Sequence, residues 1–241
     1  MQSSHNDFKI LILCGGKGER LKPLTESIPK PLVQINKLPI LSYLISYFKR
    51  FGFKKFVIAV GYKSEAIIEY FENEHQDIEV EIVDSGIVDI IERIKDALQY
   101  ISGDFILCYG DTLADVDLHA LIRFHQNHDT DVTITSYPLQ SQFGVLEISE
   151  EQKVVSFVEK PILDKWINIG YYYFNHRIVD QVMKHSRFVD FLQGVTVDGN
   201  LYSYQHKGVH ITVNTINELQ DAERNISLFL NNSREVYRNG D

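Results

Sequence analysis

Three short runs, Phe8–Leu13, Lys55–Val60 and Asp104–Tyr109, are almost continuously apolar, and each breaks off at or near a glycine: Gly15-Gly16, Gly61 and Gly110. A strand that alternates apolar with polar residues can face water on one side. A strand that is apolar along its length must be covered on both sides, which is the situation inside a parallel sheet sandwiched by helices. The segments between the runs have helical period. Ile40, Leu41, Leu44, Ile45 and Phe48 share one face of 40–51, and Ile91, Ile94, Leu98 and Ile101 share one face of 89–101, with Asp89 placed to cap it. Helices are also expected over 64–71, 118–128 and 176–185 and from about 216 onward, with a further strand over 79–83. The alternation predicts an α/β chain: a Rossmann-like, mostly parallel sheet flanked by helices. Strands near 131–137, 143–148, 153–159 and 167–174 follow one another more closely, which predicts a smaller antiparallel β element. A short strand pair is expected near 201–213.

The 241 residues, 44% of them hydrophobic, suffice for one sizeable core. A single domain is expected over 8–230, between a loose tail at 1–7 and a polar C-terminal tail at 231–241. No apolar run approaches the ~18 residues of a membrane span, and the polar start does not resemble a signal peptide. Cys14 and Cys108 lie in apolar strand-like runs without CxxC spacing, so they read as buried reduced thiols of a cytoplasmic protein. The net charge of −9 argues against a nucleic-acid or anionic-membrane partner, both of which need a basic surface. It leaves room for a small anionic substrate met by a local basic cluster.

Such a cluster follows the first strand. Leu13-Cys14-Gly15-Gly16-Lys17-Gly18-Glu19-Arg20-Leu21-Lys22-Pro23-Leu24-Thr25 runs on to Pro29-Lys30-Pro31, placing four basic residues within fourteen positions of an acidic protein. Glycines let backbone N–H groups come close to a phosphate or a base, Arg20 can grip phosphate oxygens in pairs, and Lys30 offers a point charge. The glycine spacing does not fit the dinucleotide fingerprint, and no Gly-Lys-Ser/Thr follows as in a Walker loop.

This loop, with its following Pro-Lys-Pro, resembles the signature of the sugar-phosphate nucleotidyltransferases. The resemblance spans roughly residues 8–225 and continues through Tyr109-Gly110-Asp111, Phe143-Gly144, Glu159-Lys160-Pro161 and Ile167-Asn168-Ile169-Gly170. Within the family, Ile82–Gly86, Tyr109–Asp115, Phe124-His125 and Gln142–Gly144 are most similar to the glucose-1-phosphate cytidylyltransferases. The resemblance implies transfer of a nucleoside monophosphate, CMP favoured, from an NTP to a sugar 1-phosphate with Mg²⁺. It implies that Leu13, Gly15, Gly16, Gly18, Tyr109 and Gly110 hold the nucleotide and that Arg20 and Lys30 are catalytic. Gly144, Glu159, Lys160 and Asn168 would bind the sugar phosphate, with Asp111 and Asn214 as metal ligands. Arg20, Lys30, Asp111, Lys160 and Asn214 are then expected to meet in one cleft. The nucleophile is an already ionised phosphate oxygen, so positioning and charge neutralisation suffice and no general base is required.

Two departures leave open the base, in the first case, and the metal ligation, in the second. Many members carry Thr-Gly-Gly before the helix after the third strand, where this chain reads Asp89-Ile90-Ile91-Glu92-Arg93. A family aspartate near the end corresponds best to Asn214, a neutral oxygen ligand. Guanylyl, uridylyl or thymidylyl transfer, a non-sugar phosphate acceptor, and a regulatory nucleotide-binding module remain as alternatives. His119, His125 and His128 on one helix read as solvated, since no third metal ligand is suitably spaced. Tyr171–Phe174 reads as packing together with a sugar-facing wall, and apolar helices leave room for a homo-oligomer.

Overall fold

The computed structural model describes residues 8–73 and 77–239, with side chains through Asn232; the tail expected at 1–7 lies outside them. In chain order, β1 (Lys9–Leu13) leads into the glycine loop and α1 (Leu24–Ser27). A small hairpin, β2 (Gln34–Ile35) with β3 (Leu38–Pro39), precedes α2 (Ile40–Arg50). Then come β4 (Lys55–Val60), α3 (Ser64–Asn73), β5 (Glu79–Asp84), α4 (Ile90–Leu98), β6 (Phe105–Tyr109), β7 (Thr112–Ala114) and α5 (Leu118–His128). The second half holds β8 (Val132–Gln140), β9 (Val145–Ile148), β10 (Val154–Val158), β11 (Ile162–Phe174), α6 (Val179–Lys184), α7 (Phe188–Val197), β12 (Leu201–Gln205), β13 (His210–Thr212) and α8 (Ile216–Asn239). The helical backbone of α8 runs through Asn239, past the boundary expected at 231.

Seven strands form the central sheet in the order β12-β8-β11-β6-β1-β4-β5. Only β11 runs against the others. The apolar runs are buried because each strand sends alternate residues into two cores. Ile10, Ile12, Phe56, Ile58, Ile106, Cys108, Tyr171 and Tyr173 face α2, α5 and α8. Leu11, Val57, Phe105, Leu107, Tyr172 and Phe174 face α4, α6 and α7. Tyr171–Phe174 is thus split between the two cores. Its sugar-facing role shrinks to the Tyr172 hydroxyl, which contacts Asn168 and Tyr109.

Three two-stranded antiparallel sheets supply the smaller β element: β2-β3, β9-β10 and β7-β13. The strands expected as a pair near 201–213 do not pair with each other. Leu201–Gln205 extends the main sheet parallel to β8, and His210–Thr212 pairs with the short β7, which the sequence reading did not separate. Helix α7 was also not anticipated; it forms because Phe188, Phe191 and Val195 fall on one side and are buried in the second core. Asp89 caps α4 as expected, accepting from the Ile91 N–H at 3.0 Å. The β9-β10 ribbon has bare apolar faces: Leu146, Ile148, Val154, Val155, Phe157 and Val158 are 47–64% exposed.

The reading of the α5 histidines as solvated fails for His125. Leu118, Leu121 and His125 lie at i, i+3 and i+7, the buried stripe of α5. The His125 ring stacks on Tyr173, with ring centres 4.0 Å apart, and its Nδ1 lies 2.9 Å from Thr133 Oγ1. Burial lowers its pKa to about 4; Asp104, Asp131 and Asp129 oppose the shift and Arg177 adds to it. Between about pH 6.5 and 4 the unfolded chain therefore binds a proton that the folded chain does not. The stabilising contribution is complete above pH 6.5 and is lost as pH falls toward 4. A His125→Gln variant should melt below the wild type at pH 7.5, and the gap in Tm should narrow steadily down to pH 4.5. A gap that stays constant over this range would show that His125 does not titrate there.

Candidate active site

The parallel strands β1 and β6 are neighbours, and their connections leave in opposite directions. The chain after β1 crosses by α2 on one face to reach β4, while the chain entering β6 comes by α4 on the other. A crevice opens where such connections diverge, at the carboxyl ends of the strands. Here the loops stay zipped beyond the strands. Cys14 N–H donates to Ala59 O at 2.7 Å, and Gly110 N–H to Leu13 O at 3.0 Å. A side chain at 110 would place its Cβ 2.8 Å from Cys14 Sγ and 2.9 Å from Leu13 O, so this approach needs glycine.

The glycine loop forms the rim. Gly18 has φ +63° and starts a tight turn over Glu19–Leu21, tied down by Thr25 Oγ1 donating to Gly18 O at 2.9 Å. Gly16 is different, because a Cβ there would meet no protein atom within 4 Å. Its bare backbone faces open space in the cleft, the arrangement that lets a ligand come close. Lys17 and Lys22 are exposed and line neither hollow described below.

Lys30 joins the parts of the site. It is nearly buried, with Nζ 2.5 Å from Asp111 Oδ2 and 2.8 Å from Asn214 Oδ1. Arg20 Nη2 donates to the same Asn214 oxygen at 3.1 Å. Asn214 is itself held: its Nδ2 donates to Thr212 Oγ1 at 2.6 Å, and its backbone N–H to Glu218 Oε2 at 2.5 Å. Thr215 and Glu218 complete a reciprocal cap at the start of α8, at 3.1 and 3.2 Å.

Two hollows meet at Gly16, Lys30 and Asp111. The inner one, of about 220 Å³, is lined mainly by Leu13, Gly15, Pro31, Ile90, Arg93 and Tyr109. The outer one, of about 340 Å³, has Gly18, Glu19, Arg20 and Asn214. The outer falls within the ~300–1,000 Å³ range of small-molecule sites, and the inner lies below it. The inner has the more apolar walls, and the outer sets Arg20 and Lys30 beside Glu19 and Asp111.

Arg93 is a residue of the cleft that the sequence reading missed. Where the family's glycine pair was expected, α4 presents Ile90 and Arg93. Arg93 is 4% exposed, and its guanidinium donates to Gly86 O at 2.9 Å, Val60 O at 3.3 Å and Gly15 O at 3.4 Å. A Cβ on Gly15 would lie 2.2 Å from it, so the guanidinium can sit here only against a glycine. Burial lowers the Arg93 pKa from its ordinary value. The available signal was its place on the buried side of α4, three residues from Ile90 and four from Ala97.

The expected convergence holds for Arg20, Lys30, Asp111 and Asn214. Lys160 is outside the group: it is exposed, lines neither hollow, and its carbonyl accepts from Gln140 Nε2 at 3.2 Å. Glu159 sits against Gly144, where an added Cβ would lie 2.9 Å from Glu159 Oε2. Asn168 accepts the Gly170 N–H at 2.8 Å and donates to the Tyr172 hydroxyl, which contacts the Tyr109 hydroxyl at 3.1 Å. Asn168 thus connects to the inner hollow through two tyrosines.

Among the described residues no three His, Cys, Asp or Glu side chains group to hold a metal ion. A cation here would rely on Asp111 and Asn214, both hard oxygen donors that suit Mg²⁺ and leave positions for phosphate and water. Cys14 and Cys108 are free and buried, and burial pushes both thiols far up, which makes them unreactive at neutral pH. No described helix is long and apolar enough to cross a membrane.

Comparison with known proteins agrees with this geometry. Residues 9–227 match the nucleotidyl transferase family model. A probable glucose-1-phosphate cytidylyltransferase of Bacillus subtilis is 32% identical over 243 residues, covering 90% of this chain and 95% of its own. The D-glycero-alpha-D-manno-heptose 1-phosphate guanylyltransferase of Campylobacter jejuni is 31% identical, covering 77% and 85%. The structure of HddC from Yersinia pseudotuberculosis complexed with GMP-PN superimposes with a TM-score of 0.71 at 26% identity, covering 90% of this chain and 99% of that one. A cleft built at the ends of β1 and β6 from a glycine loop, Arg20, Lys30 and Asp111 therefore belongs to a member of the nucleotidyl transferase family, an enzyme of the sugar-phosphate nucleotidyltransferase type.

Proposed function

We propose that this enzyme transfers CMP from CTP to a sugar 1-phosphate in the cytoplasm, with Mg²⁺, and releases pyrophosphate. The observation that carries the reading is Lys30, set between Asp111 and Asn214 where the two hollows meet. The α-phosphorus of a nucleotide with its base in the inner hollow and its phosphates in the outer one would lie beside that ammonium. The full-length likeness to a probable cytidylyltransferase favours CTP. The GMP-PN complex of HddC, a relative of comparable similarity, makes GTP the second reading.

In the proposed reaction an oxygen of the sugar 1-phosphate attacks the α-phosphorus, and the bond to the pyrophosphate oxygen breaks. The acceptor is already ionised, so no side chain removes a proton. Lys30 neutralises charge at the α-phosphate, and Arg20 holds the departing phosphates. Asp111 and Asn214 would hold Mg²⁺, which when bound offsets phosphate charge. Leu13, Gly15, Gly16, Gly18, Tyr109 and Gly110 frame the nucleotide, with Arg93 bracing the loop from below. Gly144, Glu159, Lys160 and Asn168 take the sugar phosphate. The exposed Lys160 ammonium, unpaired among the described residues, is available for this role.

The proposal includes self-association through the β9-β10 ribbon. A two-stranded sheet is marginal alone, and this one has apolar residues on both faces. With Phe143, Ile162 and Trp166 alongside, its exposed apolar area is on the order of 1,000 Å², above the few hundred Å² usual for a monomer and near the ~800 Å² per partner of a stable interface. Both ribbon edges are free of main-sheet partners, so a second copy could extend the ribbon across a two-fold axis.

Three measurements test these readings. Pyrophosphate release should be fastest with CTP in a panel of CTP, GTP, UTP, dTTP and ATP, each with mixed sugar 1-phosphates and Mg²⁺. A GTP maximum would assign the enzyme to guanylyl transfer, and silence with all five from protein that binds a nucleotide would support a non-sugar acceptor or a regulatory module. Asp111→Asn should lower kcat by about 10²–10³-fold in protein that still folds, with a lower Tm because the nearly buried Lys30 loses its carboxylate; undiminished turnover would remove Asp111 from the site. Wild-type protein should run as a dimer or larger in light scattering, and Val155→Glu with Phe157→Glu should reduce its mass to the monomer. A monomeric wild type, or a variant of unaltered mass, would rule out the ribbon interface.

A further inference from the structure

The residues proposed to hold the cation flank one end of a very short ladder. Asp111 directly precedes β7, and Asn214 follows β13 by two residues. The two strands meet over only three pairs: Thr112 with Thr212, Leu113 with Ile211, and Ala114 with His210. A two-stranded sheet of this length specifies its own register weakly. A slip of two residues would keep the same faces inward yet carry one ligand about 6.6 Å along the strand. Something outside the ladder must hold it in place.

The other end of the ladder carries a buried clasp. Asp115 is 4% and His206 7% exposed. Asp115 N–H donates to Val209 O at 3.2 Å, and Val209 N–H donates back to Asp115 Oδ1 at 2.6 Å. The same Oδ1 lies 3.0 Å from His206 Nε2, which is also 3.2 Å from Val209 O. Both neighbours of Nε2 are acceptors, so that nitrogen carries the proton. The loop between His206 and Val209 closes over the carboxylate so tightly that a Cβ on Gly208 would stand 2.3 Å from Asp115 Oδ1. Tyr137 donates to Gly208 O at 3.1 Å, and His206 N–H to Ser136 O at 2.8 Å, tying the clasp to β8 of the main sheet.

We infer that Asp115 and His206 are a positioning pair, which fixes β7 against β13 and so sets Asp111 opposite Asn214. Neither residue touches the cleft. Their effect passes through three ladder pairs to the two oxygens that Lys30 joins. The inference rests on the proposed metal role of Asp111 and Asn214. It adds that the spacing of these ligands is decided at the far end of the ladder.

The test uses the full chain with four substitutions: Asp115→Ala, Asp115→Asn, His206→Gln and Asn214→Ala. Two quantities are read: the Mg²⁺ concentration for half-maximal pyrophosphate release at saturating substrates, and hydrogen exchange of the 112–114 and 210–212 amides without metal. Asp115→Ala should raise the Mg²⁺ requirement about tenfold, the scale seen when a residue orienting a metal ligand is lost. The KM for the nucleotide should move far less, and exchange should quicken in the ladder but not in β1, β4 or β6. Asp115→Asn keeps an oxygen acceptor for Val209 N–H and should restore most of both properties. His206→Gln keeps a donor and should fall between the two; it also carries the test if Asp115→Ala does not fold. A quickened ladder with an unaltered Mg²⁺ requirement would overturn the inference and leave the pair a merely structural role. An unaltered requirement in Asn214→Ala would instead overturn the metal reading of Asn214, and the inference with it.

Discussion

The site depends on one buried ammonium. Lys30 is almost removed from water, and a lone charge there would cost several kcal/mol. It is tolerated because Asp111, from the end of β6, and Asn214, from the approach to α8, both turn an oxygen toward it. Those residues are 81 and 184 positions away in sequence. Folding must therefore bring three distant segments together to satisfy one side chain, and the point where they meet is the floor of the cleft. Breaking a buried pair of this kind by removing one partner typically costs about 3–5 kcal/mol. The geometry thus precedes any ligand.

Around that point the structure manages close approach. Gly110 lets the β6 loop lie against Leu13 and Cys14, and Gly16 leaves backbone open to the cleft. A loop of this kind is prone to sag, because glycines fix little by themselves. Arg93 prevents this from beneath, taking carbonyls of Val60, Gly15 and Gly86 from the ends of three separate segments. Hydrogen bonds from a charged donor contribute up to about 1.5–3 kcal/mol each, and here they hold glycines that have no side chains of their own to pack. The family's glycine pair is absent, yet the helix still walls the pocket.

The order of strands and helices could be read from the chain because burial on two faces leaves an unmistakable continuous apolar run, and α2 and α4 have full amphipathic periods. What escaped detection depended on distant contacts. Helix α7 is rich in aromatic and β-branched residues, which do not announce a helix, and only the second core decides it. Nothing local tells Leu201–Gln205 to pair with β8 and not with its neighbour His210–Thr212. His125 and Arg93 were legible in principle, because each occupies the buried stripe of its helix, but both were judged by residue type before position. The group of Arg20, Lys30, Asp111 and Asn214 came from resemblance, and the fold brings these residues together. Lys160 had the same warrant, and the structure leaves it on the surface, because a motif fixes a residue and not the conformation of the strand end that carries it.

The neutral amide at Asn214 alters the balance of charge in the cleft. Lys30 and Arg20 both point at its oxygen, Asp111 shares Lys30, and Glu218 accepts the Asn214 backbone N–H. An aspartate at 214 would add one more negative charge to this group; the asparagine leaves it out. In a protein of net charge −9, that omission lowers the repulsion a phosphate would meet in the cleft. The proposed reaction brings two anions together, so one negative charge fewer at the meeting point favours it. Binding a bare cation benefits less, since one carboxylate and one amide make a weak cage for a metal that prefers to keep its water. On this balance the cation would be held jointly by the phosphates that accompany it and by Asp111 and Asn214, which fix where it sits.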